Sequence, residues 1–108
     1  MAKKEMDAKM RYLFEGILSL QTVEECSRFF EDLCTVVEVI EMSNRMAAAK
    51  MLADNNTYAE IIEKTGLSTA TISRVNRCLK YGSDGYTMAL QRLDAAGAQP
   101  FTEEDAAQ

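Results

Sequence analysis

T-Y-A-E-I-I-E-K-T-G-L-S-T-A-T-I-S-R-V-N-R-C-L-K-Y, residues 57–81, decides how this chain is read. Thr57 with Glu60 three positions on forms a T-x-x-E capping box, which opens a helix. Ile61 and Ile62 are its apolar residues and face inward. Gly66 stands where a helix ends in a left-handed residue, a conformation that glycine adopts at little cost. Leu67 plugs the junction, and Ser68 is an N-cap for a second helix. Ile72, Val75 and Leu79 then recur at i, i+3 and i+7, one apolar stripe. Two short helices joined by the tight turn Thr65-Gly66-Leu67 form a helix-turn-helix, whose second helix is built to enter a DNA major groove.

The opposite face of that second helix carries Thr69, Ala70, Ser73, Asn76, Arg77 and Lys80. Short side chains at its start let the backbone approach base edges. Hydroxyls of Ser68, Thr69, Thr71 and Ser73 can donate or accept, and the methyls of Ala70 and Thr71 can pack on a thymine methyl. Arg74, Arg77 and Lys80 can meet phosphates. The candidate DNA-binding set is therefore Ser68, Thr69, Ala70, Thr71, Ser73, Asn76, Arg77 and Lys80. A helical hairpin with a merely solvated polar face shares the turn, but not the full combination of turn, cap, stripe and outward cations.

Working outward, 108 residues make one domain, and the 47% hydrophobic content suffices for a modest core. Helix formers dominate and no window alternates with period two, so the chain reads as all-α. The formal charge is −5, yet residues 64–83 hold four cations and no acid. The acids Asp94, Glu103, Glu104 and Asp105 stand beyond the last cation, and residues 1–93 hold 13 acids against 12 bases. Because fields are local at physiological salt, with a Debye length of about 8 Å, a basic face on a mildly acidic body is compatible with DNA.

Other chemistry is thin. There is no histidine, and the three cysteines, Cys26, Cys34 and Cys78, have no C-x-x-C spacing. Zinc-finger arrangements and histidine catalysis are excluded, and the cysteines read as reduced thiols. No catalytic residue, metal site or cofactor is assigned. Glu24-Glu25 and Glu31-Asp32 read as helix N-terminal and solvent-facing charge rather than a carboxylate pair. The start lacks a signal-peptide core, and no apolar run approaches the roughly 20 residues that span a bilayer. A cytoplasmic protein without membrane contact is expected.

Five further features organise the chain. A first helix is expected from Lys4 to Leu18, its apolar side made by Met6, Met10, Leu13, Phe14 and Ile17. Thr22 with Glu25 opens a second helix, with Val23, Cys26, Phe29, Phe30 and Leu33 inward. Thr35 with Glu38 opens a third, which stops at Asp54-Asn55-Asn56. After the hairpin, Ser83 or Asp84 caps a last helix over residues 86–93. Residues 94–108 form an acidic, disordered tail. The Met and Phe face of the first two helices exceeds what a monomer of this length covers, which points to a homodimer.

These residues resemble the Trp repressor superfamily, most closely its YerC/YecD-type Trp-repressor-like proteins. The match runs through most of residues 10–93. It is strongest at D-L-C-T (32–35), T-G-L-S-T-A-T-I-S-R-V-N-R-C-L-K-Y-G (65–82) and G-Y (85–86). The resemblance implies six helices, an intertwined homodimer, a helix-turn-helix from the fourth and fifth helices, and sequence-specific repression of transcription. It places Ser68, Thr69, Ala70, Thr71 and Ser73 against bases or nearby phosphates. It maps ligand-contacting positions onto Thr35, Arg74 and, with a one-residue deletion near 54–57, Arg45. Where the tryptophan-binding repressor has glycine after the arginine, this chain has Val75. A β-branched side chain fills the ligand's place, so Thr35, Arg45, Arg74 and Val75 read as a vestigial pocket, pre-packed by Val75 with Met42 or Met46. Tryptophan is not expected as an effector, and no other effector is named.

The resulting expectation is a homodimeric regulator that occupies a pseudo-palindromic double-stranded operator without tryptophan. A helical protein-interaction module that keeps the hairpin as scaffold is the alternative. An enzyme is the least supported class, without a phosphate loop or a paired-carboxylate cleft.

Overall fold

In the computed structural model, which describes residues 5–98 and 101, the chain forms six helices and no strand among the described residues. They are α1 (Ala8–Leu18), α2 (Val23–Leu33), α3 (Val36–Ala53), α4 (Tyr58–Thr65), α5 (Thr69–Tyr81) and α6 (Gly85–Ala95). The chain divides into two compact units, Met1–Val39 and Ile40–Gln108.

The first unit is α1, α2 and the start of α3. The α1 helix begins later than Lys4 because Asp7 caps it, its side chain accepting from the Met10 N–H at 2.8 Å. Met6 therefore precedes the helix, and Lys4 lies outside the described residues. At α2, Thr22 accepts from the Glu25 N–H at 3.0 Å as its motif predicts, but Glu25 accepts in return from the Gln21 N–H at 2.8 Å, one residue earlier than a capping box. At α3 the box is complete: Glu38 N–H to Thr35 Oγ1 at 3.1 Å, and Thr35 N–H to Glu38 Oε1 at 2.8 Å.

No residue of α1 or α2 is buried. Leu13, Ile17, Cys26, Phe29 and Phe30 are half-buried, whereas Met10, Phe14 and Leu33 are exposed and Val23 is 81% exposed. The Phe29 and Phe30 rings meet edge to face, with centroids 5.6 Å apart.

The second unit holds the buried core, built from Ala48, Ala49 and Met51 of α3, Ile61 of α4, and Ile72 and Val75 of α5. Leu52, Tyr58, Leu67, Tyr86 and Leu90 pack around it. Small alanines on α3 let the α4–α5 hairpin approach closely, and α6 packs on α5. Ile62 departs from the expected inward face and is 39% exposed. Successive residues of a helix diverge by about 100°, so Ile61 and Ile62 do not share one core face.

The ends of α3 and α6 are set by left-handed residues. Asn55 has φ 66°; its N–H donates to Leu52 O and the Asn56 N–H to Met51 O, a Schellman stop for α3. The Asn56 side chain adds a bond to the same Met51 carbonyl at 3.1 Å. Gly97, φ 72°, ends α6 the same way, with bonds from Gly97 N–H to Asp94 O and Ala98 N–H to Leu93 O. Asp94 and Ala95 are thus helical rather than part of a disordered tail. The rest of that expectation, residues 99–108 apart from Phe101, lies outside the described residues. Asp84 precedes α6 at φ 64° and makes no side-chain cap, so the expected hydroxyl or carboxylate cap there is not formed.

Candidate nucleic-acid interface

The turn between α4 and α5 has the expected form. Gly66 adopts φ 72°, and its N–H donates to Ile62 O at 2.8 Å. Thr65 braces the same corner, its hydroxyl donating to Ile61 O at 2.7 Å and accepting from the Leu67 N–H at 3.2 Å. The Thr57–Glu60 capping box is complete at the start of α4. Ser68 caps α5, accepting from the Thr71 N–H at 3.1 Å and donating to Thr71 Oγ1 at 3.0 Å. Capped at both starts and stopped by a left-handed glycine between, the hairpin has a defined geometry before any partner is met.

The α5 stripe divides the helix cleanly. Ile72 is fully buried, Val75 is 3% exposed, and Leu79 is half-buried. On the other side Ser68, Thr69, Ala70, Arg74, Arg77 and Lys80 are exposed, while Thr71, Ser73 and Asn76 are half-buried. The structure thus gathers all eight candidate DNA-binding residues on α5 and its cap. Among the described residues, Arg74, Arg77 and Lys80 have no ion-pair partner, whereas Arg11, Arg45 and Lys50 are each paired with an acid four residues away at 3.0, 2.8 and 3.1 Å. Three unneutralised cations on one exposed helix form a local positive field suited to phosphates.

The residues read as a vestigial pocket are placed differently from one another. Val75 is in the buried core with Ala48, Ala49, Met51, Ile61 and Ile72; Met46 is half-buried and Met42 exposed, and neither belongs to that buried set. Arg45 is on α3, with Nη2 bonded to Glu41 Oε1 at 2.8 Å. Arg74 is exposed on α5. Thr35 belongs to the first unit, where its hydroxyl is engaged as the α3 cap.

Two carboxylates are tuned by the caps. The backbone hydrogen bond from Thr35, followed by its side-chain bond, holds the Glu38 carboxyl below the ordinary glutamate range. The backbone bond from Thr57 does the same for Glu60, helped by its side chain and by the charge of Lys64. Both groups serve helix starts rather than a reaction. Among the described residues no group of three acids, cysteines or histidines is placed to hold a metal ion, and no helix is long and apolar enough to cross a membrane.

Sequence reasoning placed the stop of α3 at Asp54-Asn55-Asn56 without its left-handed form, and missed the Schellman stop at Gly97, although D-A-A-G carries the signal: a residue tolerant of positive φ just past a helical run.

Comparison with known proteins agrees with this geometry. The family model described as Trp repressor protein matches residues 8–94. The Bacillus subtilis protein YerC is 54% identical over 90 residues, covering 83% of each chain. Among solved structures, a TrpR-like protein from Eubacterium eligens superposes with a TM-score of 0.79 at 51% identity, covering 82% of this chain and 91% of that one. A putative Trp repressor from Staphylococcus aureus gives a TM-score of 0.79 at 49% identity, covering 82% and 89%. With the six helices, the capped hairpin and this match, the chain belongs to the Trp repressor family, a family of DNA-binding regulators rather than enzymes.

Proposed function

We propose that this protein is a cytoplasmic, sequence-specific double-stranded DNA-binding regulator that represses by occupying an operator as a homodimer, without tryptophan. The carrying observation is the outer face of α5: exposed short side chains at its start, followed by unpaired Arg74, Arg77 and Lys80, on a hairpin held by Gly66 and Ser68. The short residues suit base edges and the cations suit phosphates. Family membership supports the same reading.

The dimer reading is supported by α1 and α2, which bury no residue within the chain, and by exposed Leu18, Val23, Val36 and Val37. An apolar surface of this extent is ordinarily covered by a partner. A second copy presents a second α5, so two-fold protein symmetry pairs with a pseudo-palindromic site. Val75, seated in the core, supports independence from tryptophan by occupying the place that a glycine leaves open.

Selection of genomic fragments by the purified protein at about 100 mM salt, with and without L-tryptophan, tests this reading in a range where phosphate contacts still count. A palindromic site enriched in both samples is the expected result. Enrichment only with tryptophan overturns the role given to Val75. The net charge of −5 favours the rival, a protein-interaction module that keeps the hairpin as scaffold. Absence of salt-dependent duplex binding decides for that rival.

A further inference from the structure

The three α5 cations are not equivalent in their reach. With about 1.5 Å of rise per residue, Arg74 stands about 7.5 Å along the axis from Thr69, Arg77 about 12 Å and Lys80 about 16 Å. A recognition helix enters the groove by its N-terminal residues, and the major groove is about 8.5 Å deep. Arg74 is the one of the three nearest the N-terminal residues that contact base edges. Long helical side chains also lean back toward the helix start, which carries the Arg74 guanidinium over Ala70, one turn earlier. Ala70 is exposed and offers only a methyl there, so the guanidinium has open space ahead of it.

The base of this side chain is held firmly. Ile72 is fully buried and Val75 nearly so, on either side of Arg74 in the chain. Neither Arg74 nor its neighbours on the outer face spend its charge on an ion pair within the described residues. The first turns of α5 hold no other side chain with a planar fork of donors. Such a fork matches the O6 and N7 acceptors of guanine with a fixed planar geometry, which the flexible ammonium of lysine holds less rigidly.

We propose that Arg74 is a base-reading residue that forks O6 and N7 of one guanine in each half-site, leaving Arg77 and Lys80 to the phosphates. The proposal rests on the DNA-binding reading and adds the specificity residue to it.

The experiment measures duplex binding of the full chain to its selected site by fluorescence anisotropy. Each half-site guanine is replaced in turn by 7-deazaguanine, which removes the N7 acceptor without altering the protein. Wild type, Arg74→Lys and Arg74→Ala are compared over a salt series, with matched melting temperatures as the folding control. One deaza position is expected to weaken wild type about 5- to 150-fold and to leave Arg74→Ala unaffected, while Arg74→Lys keeps the wild-type salt slope. Wild-type insensitivity at every guanine, or a half-site without guanine, overturns the proposal. So does an Arg74→Ala variant that keeps the wild-type base preference while its salt slope falls by about one, because that pattern is a phosphate contact. Wild type that binds no duplex in a salt-dependent way refutes the DNA-binding reading itself, and the proposal with it.

Discussion

Gly66 links the two hairpin helices at φ 72°, and a Cβ built there meets nothing within 4 Å. The constraint is therefore purely one of backbone conformation. Gly66→Ala is expected to cost about 1–2 kcal/mol, the penalty of a left-handed L-residue, and Gly66→Val more because β-branching resists positive φ further. Chemical denaturation with an unchanged m-value checks this. Gly82 is constrained differently: its φ of −83° is ordinary, but an added Cβ would collide with the Cys78 carbonyl. Asp84 is the reverse case, a left-handed residue with a side chain that caps nothing. Asp84→Gly is expected to raise stability by about 0.5 kcal/mol, since the relieved strain exceeds the added freedom of the unfolded chain. On the DNA face, Arg77→Ala and Lys80→Ala should each weaken binding to all sequences alike and lower the salt slope by about one. Thr71 substitution should shift preference at one base position by about 1–3 kcal/mol. An unchanged slope for Arg77→Ala would remove that residue from the phosphate contacts.

At the scale of elements, a Thr–Glu capping box starts each of α3 and α4. Glu38 and Glu60 each accept from a threonine backbone N–H, and each carboxyl is held below its ordinary value for that reason. A depressed folded-state pKa gives stability that is fully present above the unfolded glutamate range and is lost as pH falls through the folded value. Acidification below about pH 4.5, near the ordinary glutamate pKa, should therefore loosen the starts of α3 and α4 first. Amide exchange at Thr35 and Thr57 reads this directly. Glu60→Gln keeps an acceptor without the charge and should flatten the pH dependence at Thr57 alone; equal acid sensitivity in that variant would point to other carboxylates. Both carboxylates are exposed, so the effect is local and modest.

For the whole molecule, the two units differ in how far each satisfies itself. The Ile40–Gln108 unit carries every residue of the buried core, while α1 and α2 have none. On the proposed dimer reading, association covers this apolar surface and stabilises the chain, so its melting temperature should rise with protein concentration. Sedimentation should give twice the chain mass. Val23→Asp, at a position 81% exposed within the chain, should shift the equilibrium toward monomer and weaken operator binding together. A monomeric wild type that still binds a palindrome with full affinity would refute the dimer reading. Calorimetry with L-tryptophan should show no saturable binding at micromolar concentration, given that Val75 is packed in the core.

Much of this was legible along the chain because its signals are local. T-x-x-E at three helix starts, Gly66 before Ser68, and the spacing of Ile72, Val75 and Leu79 depend on neighbours within one or two turns, so residue identity alone determined six helices and the outer face of α5. Three-dimensional packing decided what periodicity could not. Ile61 is buried and Ile62 is not, because the core contains the α4 face that carries Ile61 and successive helical residues diverge by about 100°. The Glu25 carboxylate chose the N–H of Gln21 over that of Thr22, a matter of chain path before the helix. Val75 joined Ala48, Ala49 and Met51, because which distant residues meet across helices depends on the packing of the elements and not on their spacing in sequence.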